Sequence, residues 1–225
     1  MEDRTRAALF LGLGTAMWGS TFLVIKTLLG AMSPGVLLCF RFGAASACLV
    51  PFALAAARRS ASGAGAPFRT LLLPSLLLGL SLLGGYVFQT AGLEFTGPGK
   101  SAFITSLYVA FAPFATWPIM GRRPTAIHFA SVGIALLGVY LLSDPSGPLN
   151  RGDLYTALGA VCWALEIALI DRFWVKGREM EITAMMLGVV AAGSVMLTPL
   201  LGGFRFTPGI PAALVSLAFF TVVHY

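Results

Sequence analysis

Eight apolar runs divide the chain, at residues 7–29, 35–57, 70–92, 101–120, 125–142, 153–171, 182–201 and 210–225. A helix needs about 20 apolar residues to cross a bilayer core about 30 Å thick. Backbone N–H and C=O groups in lipid must also be satisfied within their own segment. The succession therefore predicts an all-α integral membrane protein with eight helical runs. The connectors carry helix breakers: Ser33-Pro34-Gly35, the Ala/Gly/Ser tract from Ser60 to Pro67, Thr96-Gly97-Pro98-Gly99, Gly121-Arg122-Arg123-Pro124, Asp144-Pro145-Ser146-Gly147-Pro148, and Gly202-Gly203 with Pro208-Gly209. None is long enough to hold a soluble domain.

Charge then supplies the topology. Only 11% of residues are charged, against about 25% in soluble domains. The net charge of +6 is scattered through short loops, which excludes a nucleic-acid surface. With the N-terminus in the cytoplasm, Arg4, Arg6, Arg58, Arg59, Arg69, Arg122, Arg123, Arg172, Lys176 and Arg178 fall on the inner side. Lys100, Arg151 and Arg205 fall on the outer side. Because short cytoplasmic loops collect Lys and Arg, this asymmetry predicts a multi-pass protein of the plasma membrane, or bacterial inner membrane, with a cytoplasmic N-terminus. The first apolar run exceeds the 7–15 residues of a signal-peptide core and reads as an uncleaved span.

Two segments echo each other 145 residues apart. Leu9-x3-Leu13-Gly14-x3-Trp18-x6-Ile25 recurs as Leu154-x3-Leu158-Gly159-x3-Trp163-x6-Ile170. The copies open the first and sixth runs, so with five runs per repeat the second copy enters the bilayer from the opposite side, the signature of an inverted-repeat transporter. The repeats are expected at 7–145, with five helices, and at 150–225, with three. Since the last run stops at Tyr225 after sixteen residues, the second repeat is expected to lack its last two helices.

Several motifs carry a family resemblance. Trp18-Gly19-Ser20-Thr21-Phe22-Leu23-Val24-Ile25-Lys26 is followed by Ser33-Pro34 and Arg41-Phe42. Gly92-Leu93-Glu94-Phe95-Thr96-Gly97 precedes Ala102-Phe103-Ile104-Thr105-Ser106-Leu107-Tyr108 and Pro113, and Gly133-x4-Gly138-Val139-Tyr140-Leu141-Leu142 closes the first half. This pattern resembles the EamA domains of the drug/metabolite transporter superfamily. The likeness extends more loosely through the tryptophan helix of the second half to Thr198-Pro199. It implies two five-helix halves around a central cavity, used to export amino acids, related metabolites or drugs. Where that family commonly has an acidic residue before the basic one after the fourth span, this chain reads Arg122-Arg123.

Candidate site residues follow from depth and spacing. Glu166 lies thirteen residues past Asp153, about 20 Å along a helix. A carboxylate so deep belongs in a bundle interior or a water-filled path, which makes Glu166 a candidate for substrate binding and proton coupling, or for an ion pair with Lys26 or Arg41. Related small multidrug transporters use a membrane-embedded glutamate in the first helix of their repeat, which this position resembles. Arg41 and Lys26 are charges within or near the spans, the former suited to a buried partner and the latter to snorkelling. Trp18 and Trp163, equivalent in the echo, sit too deep for interfacial anchors. Thr21 stands opposite Glu166 in the same alignment.

Tyr86 and Gln89 share a face of the third span, as Ser101, Thr105 and Tyr108 do on the fourth. These faces are expected to line a cavity between spans one, three, four and six. His224 reads as a helix contact, and Ala8, Gly12, Ala16 and Ser20 form a small-xxx-small stripe for close helix packing. Cys39, Cys48 and Cys162 show no metal or disulfide spacing. No HExxH, GxSxG or P-loop motif occurs, so no enzyme activity, cofactor or metal is expected.

The combined expectation is an alternating-access exporter of amino acids or related metabolites, working by proton antiport if Glu166 exchanges protons and by facilitated diffusion if Glu166 is structural. Drug transport, lipid-linked sugar transport and a non-transporting membrane assembly partner are the alternatives. Its expected partners are a small-molecule substrate and the lipid bilayer, and the sequence assigns no oligomeric state.

Overall fold

The computed structural model describes residues 2–61, 67–142 and 150–207, together with Leu217 and Thr221. The described residues form eight helices: α1 (Glu2–Leu29), α2 (Pro34–Ala61), α3 (Arg69–Phe95), α4 (Pro98–Ser106), α5 (Tyr108–Met120), α6 (Ala126–Leu142), α7 (Arg151–Phe173) and α8 (Glu179–Leu197). Six stretches are long and apolar enough to cross a membrane, with α4 and α5 counting as the single stretch Pro98–Met120. The runs read from sequence thus coincide with helices through Leu197. The run 210–225, and with it His224, lies outside the described residues apart from Leu217 and Thr221. At 17 residues α6 is shorter than the six candidate spans, and its length of about 26 Å is at the lower limit for spanning.

Local chemistry sets the helix ends. Pro98 opens α4 at its first turn, where a missing N–H costs nothing. Gly121 ends α5 at φ 73°, a left-handed conformation that favours glycine. The start of α7 is a capping box: the Asn150 side chain accepts from the Asp153 N–H, and the Asp153 carboxylate accepts from the Asn150 N–H.

Packing centres on α3, the most buried of the candidate spans. A Cβ on Gly92 would lie 2.5 Å from Thr156 Oγ1 and 2.8 Å from the Gly152 carbonyl. One on Gly152 would lie 2.5 Å from the Gly92 carbonyl. One turn pair further along, Gly85 abuts the Trp163 ring and Gly159 abuts the Gly85 carbonyl. Small residues on both helices therefore bring the α3 and α7 backbones together. On other faces Gly79 of α3 meets Val189 of α8, and Gly35 of α2 meets Thr198. Leu38, Phe42, Leu78, Leu82, Tyr86, Trp163, Ile182 and Leu187 fill the core among α2, α3, α7 and α8.

The small-residue stripe on α1 behaves differently from expectation. Ala8, Gly12 and Ala16 are exposed, and a Cβ on Gly12 meets no atom within 4 Å. The glycine crossing belongs to α3 and α7 instead, because α1 touches the bundle mainly through its second half, where Phe22, Ile25, Leu28 and Leu29 are buried.

The bundle has two ends. One carries the α1–α2 and α3–α4 turns and Asn150; it is called the Phe95 end below. There the segment after α8 crosses the α1–α2 turn through an isolated bridge between Met32 and Phe206, with the Ser33 N–H donating to the Arg205 carbonyl at 3.0 Å and the Thr207 N–H to the Ala31 carbonyl at 2.8 Å. The other, the Gly121 end, carries the α5–α6 and α7–α8 turns.

Candidate functional site

A cavity of about 650 Å³ opens between α1, α5 and α7. Its wall consists of Phe10, Leu11, Gly14, Thr15 and Trp18 from α1, Tyr108 from the start of α5, and Trp163, Glu166, Ile167 and Ile170 from α7. The lining runs from Trp18 toward the N-terminus of α1 and from Trp163 toward the C-terminus of α7, which is toward the Gly121 end. Four of the residues singled out from sequence meet here: Trp18, Tyr108, Trp163 and Glu166. The two tryptophans related by the echo therefore share one cavity.

Aromatic rings close the cavity toward the Phe95 end. Trp18 packs edge-on against Tyr108 at 6.0 Å between ring centres and against Phe22 at 6.2 Å. Trp163 packs edge-on against Tyr86 at 4.7 Å. Its indole Nε1 lies against Gly85 and has no hydrogen-bond partner among the described residues. Glu166, one turn along α7 from Trp163, is 5% exposed, and its carboxylate makes no hydrogen bond or ion pair with any described residue. The ion pair with Lys26 or Arg41 weighed from the sequence is not formed.

Both basic residues are engaged elsewhere. Lys26 Nζ donates to the carbonyls of Leu93 at 2.6 Å, Thr96 at 3.0 Å and Glu94 at 3.3 Å. An ammonium from α1 thereby satisfies carbonyls that the end of α3 leaves without helical partners and complements its dipole. Lys26 is a clamp between helices rather than a cavity residue. Arg41 is 2% exposed, with its guanidinium 4.5 Å from the Tyr86 ring centre and 5.2 Å from that of Phe42. Its Nε donates to Thr221 Oγ1 at 2.7 Å, while Nη1 has no partner among the described residues. Tyr86 thus stands between Arg41 and Trp163.

The expected polar lining from the third span is sealed by the tight α3–α7 contact. Tyr86 and Gln89 are buried, and Gln89 Nε2 donates to Thr105 Oγ1 at 3.1 Å. Ser101 faces Thr156 of α7 at 3.4 Å, so of the fourth-span stripe only Tyr108 reaches the cavity. Thr21 is also buried and returns its hydroxyl to the Trp18 carbonyl at 2.6 Å. Spans one, four and six line the space; span three backs it.

Sequence reasoning missed a polar cluster at the Phe95 end. Asp153, 5% exposed, accepts from Lys100 Nζ at 2.6 Å, Thr96 Oγ1 at 2.9 Å and the Asn150 N–H at 3.0 Å. The Asn-x-x-Asp spacing ahead of an apolar run was the available signal for the cap; the Lys100 and Thr96 contacts depend on the fold. At the Gly121 end Arg122 pairs with Asp171 at 3.2 Å on an exposed surface, so the Arg122-Arg123 sequence finds its acid on α7. Arg178 pairs with Glu181 at 2.8 Å in a buried position at the start of α8.

Six stretches of membrane-spanning length, packed around an aromatic cavity that holds a deep carboxylate, define the class: a multi-pass membrane protein. The chain belongs to the EamA-like transporter family, whose sequence profile matches residues 5–144. It is 34% identical over 170 residues to an uncharacterized transporter of Archaeoglobus fulgidus, an alignment covering 76% of this chain and 50% of the relative. It is 26% identical over 221 residues to the uncharacterized transporter YyaM of Bacillus subtilis, covering 91% of this chain and 70% of that protein. The chain thus spans half the length of the archaeal relative. No solved structure matches it.

Proposed function

We propose that this transporter carries small organic cations with an apolar body, exporting them by alternating access in exchange for protons at Glu166. One observation carries the reading: a buried carboxylate without a partner among the described residues shares a cavity wall with Trp18, Tyr108 and Trp163. Aromatic faces and a carboxylate both attract an ammonium group, and the attraction strengthens where water is excluded. A proton and a cationic substrate compete for the same carboxylate. That competition couples their movements in opposite directions.

The same wall weighs against the other cargoes. An amino acid brings a carboxylate that needs its own cation, yet Lys26 is held by α3 carbonyls and Arg41 lies behind Tyr86. A lipid-linked sugar phosphate would meet a charge of its own sign. Drug-like amines fit better than amino acids.

The inverted repeat at 7–145 and 150–225 belongs to this proposal. Its support is that the equivalent residues Trp18 and Trp163 meet at one cavity whose lining proceeds N-terminally on α1 and C-terminally on α7. A cytoplasmic N-terminus in a plasma or bacterial inner membrane then puts the Gly121 end inside.

Flux in proteoliposomes under an imposed pH gradient tests the proposal, with phenethylamine and phenylalanine as matched substrates. We expect amine flux at least about tenfold above amino-acid flux, a preference of roughly 1.4 kcal/mol, and loss of the proton-driven part in Glu166→Gln. Preference for phenylalanine, or an unchanged pH dependence in Glu166→Gln, would overturn it.

A further inference from the structure

The two ends of the bundle are fastened unequally around the cavity. At the Phe95 end Asp153 of α7 is almost fully buried and bonded to Lys100 and Thr96, while Lys26 of α1 grips the Leu93, Glu94 and Thr96 carbonyls. Helices α1, α3, α4 and α7 are thereby tied by one continuous polar cluster, with Thr96 accepting from Lys26 through its carbonyl and donating to Asp153 through its hydroxyl. At the Gly121 end the pair that joins the α5–α6 turn to α7, Arg122–Asp171, is 69% and 51% exposed on its two sides, and the buried Arg178–Glu181 pair lies within one turn at the start of α8. An exposed pair of this kind is screened and holds little, whereas a buried one acts at low dielectric.

The cluster also stands in register with the cavity. Lys26 lies eight residues from Trp18, and Lys100 eight from Tyr108 on the same stretch Pro98–Met120. Asp153 lies ten residues from Trp163. Each interval is about 12–15 Å along its helix. Between cavity and cluster lie the Trp18, Tyr108 and Phe22 rings and the buried Ile25 and Thr105. The substrate space is stoppered by rings and then bolted by charges on one side, while its lining continues to the other.

We infer that Lys100 and Asp153 form the gate pair of the transport cycle, holding the cavity closed at the Phe95 end and separating whenever the cavity opens there. They are positioning residues and touch no substrate. The inference rests on the alternating-access reading of the preceding subsection. With a cytoplasmic N-terminus the pair is the outer gate, and the structure is the inward-facing state.

A cysteine at Thr15, on the cavity wall, reports which side reaches the cavity when the Cys39, Cys48 and Cys162 thiols are first replaced by alanine. In proteoliposomes of defined orientation, a membrane-impermeant maleimide should label it from the Gly121 side alone. Asp153→Asn keeps an acceptor for the helix cap, and Lys100→Gln keeps a polar side chain at a site 22% exposed. Each should raise labelling from the Phe95 side by about tenfold or more, because weakening one state's contacts shifts the population to the other. The reversed pair, Lys100→Asp with Asp153→Lys, should restore one-sided labelling.

Unchanged sidedness in both single variants overturns the gate. So does continued substrate flux when cysteines placed at 100 and 153 are joined by a short thiol cross-linker, since a gate that cannot open must stop transport until the link is cleaved. Failure of the cavity reading gives a different result: the sidedness shifts as expected, yet no amine protects the Thr15 cysteine in any variant.

Discussion

Five charged side chains are buried among the described residues: Arg41, Asp153, Glu166, Arg178 and Glu181. Four have a polar partner, through Thr221, Lys100 or the Arg178–Glu181 pair. Glu166 is the exception. A buried charge without a partner is destabilising by several kcal/mol, and such costs persist at functional sites. Glu166→Gln is therefore expected to raise the thermal midpoint in detergent, or leave it unchanged, even as it removes proton-driven flux. A marked fall would make Glu166 a structural residue instead.

Lys26 should respond in the opposite way. Lys26→Met strands the carbonyls of Leu93, Glu94 and Thr96, and the loss is about 2 kcal/mol for hydrogen bonds from a charged donor to half-buried acceptors. A lower unfolding midpoint with Lys26→Arg intermediate is the expected outcome.

These residues were unequally legible from sequence. The depth of Glu166 follows from counting along a helix, and the pairing of Trp18 with Trp163 follows from the echo. The clamp at Lys26 depends on where the end of α3 comes to rest, which periodicity does not encode.

At the level of elements, apolar length located every described helix, because a span is dictated by bilayer thickness. It did not tell which helices touch. The α1 stripe of Ala8, Gly12, Ala16 and Ser20 carries the same small-residue signal as the α3 and α7 glycines, yet only the latter are in contact. Small-xxx-small permits close approach without specifying a partner. The difference is measurable. In Gly92→Ala the new Cβ meets backbone and a short side chain at 2.5–3.1 Å, so α3 and α7 must separate. Overpacking of this kind costs about 1–3 kcal/mol. In Gly14→Ala nothing lies within 4 Å, and alanine's helix propensity favours it by about 1 kcal/mol. Thermal unfolding of the two variants should move in opposite directions; a like response would mean that the α3–α7 crossing is not the tight seam of the bundle.

For the whole molecule, the arrangement ties topology to mechanism through parity. If four crossings lie between the spans that carry Trp18 and Trp163, α1 and α7 must run in opposite directions, and α6 must cross the membrane despite its 17 residues. Should α6 lie in the interface instead, α7 would re-enter from the same side as α1. The echo would then describe a direct repeat. The cavity lining favours opposite directions, since the residues flanking Trp18 that face it are N-terminal and those flanking Trp163 are C-terminal.

Reporter fusions can decide the matter in cells. A phosphatase that is active only outside the cytoplasm, joined after Gly121, should be inactive, and joined after Asn150 it should be active. Joined after Gly177 it should again be inactive, because α7 has returned. Activity at Gly121 or Gly177 would reverse the orientation drawn from the basic residues while keeping the repeat inverted. Equal activity at Gly121 and Asn150 would show that α6 does not cross, and would remove both the inverted repeat and the assignment of Lys100 and Asp153 to an outer gate.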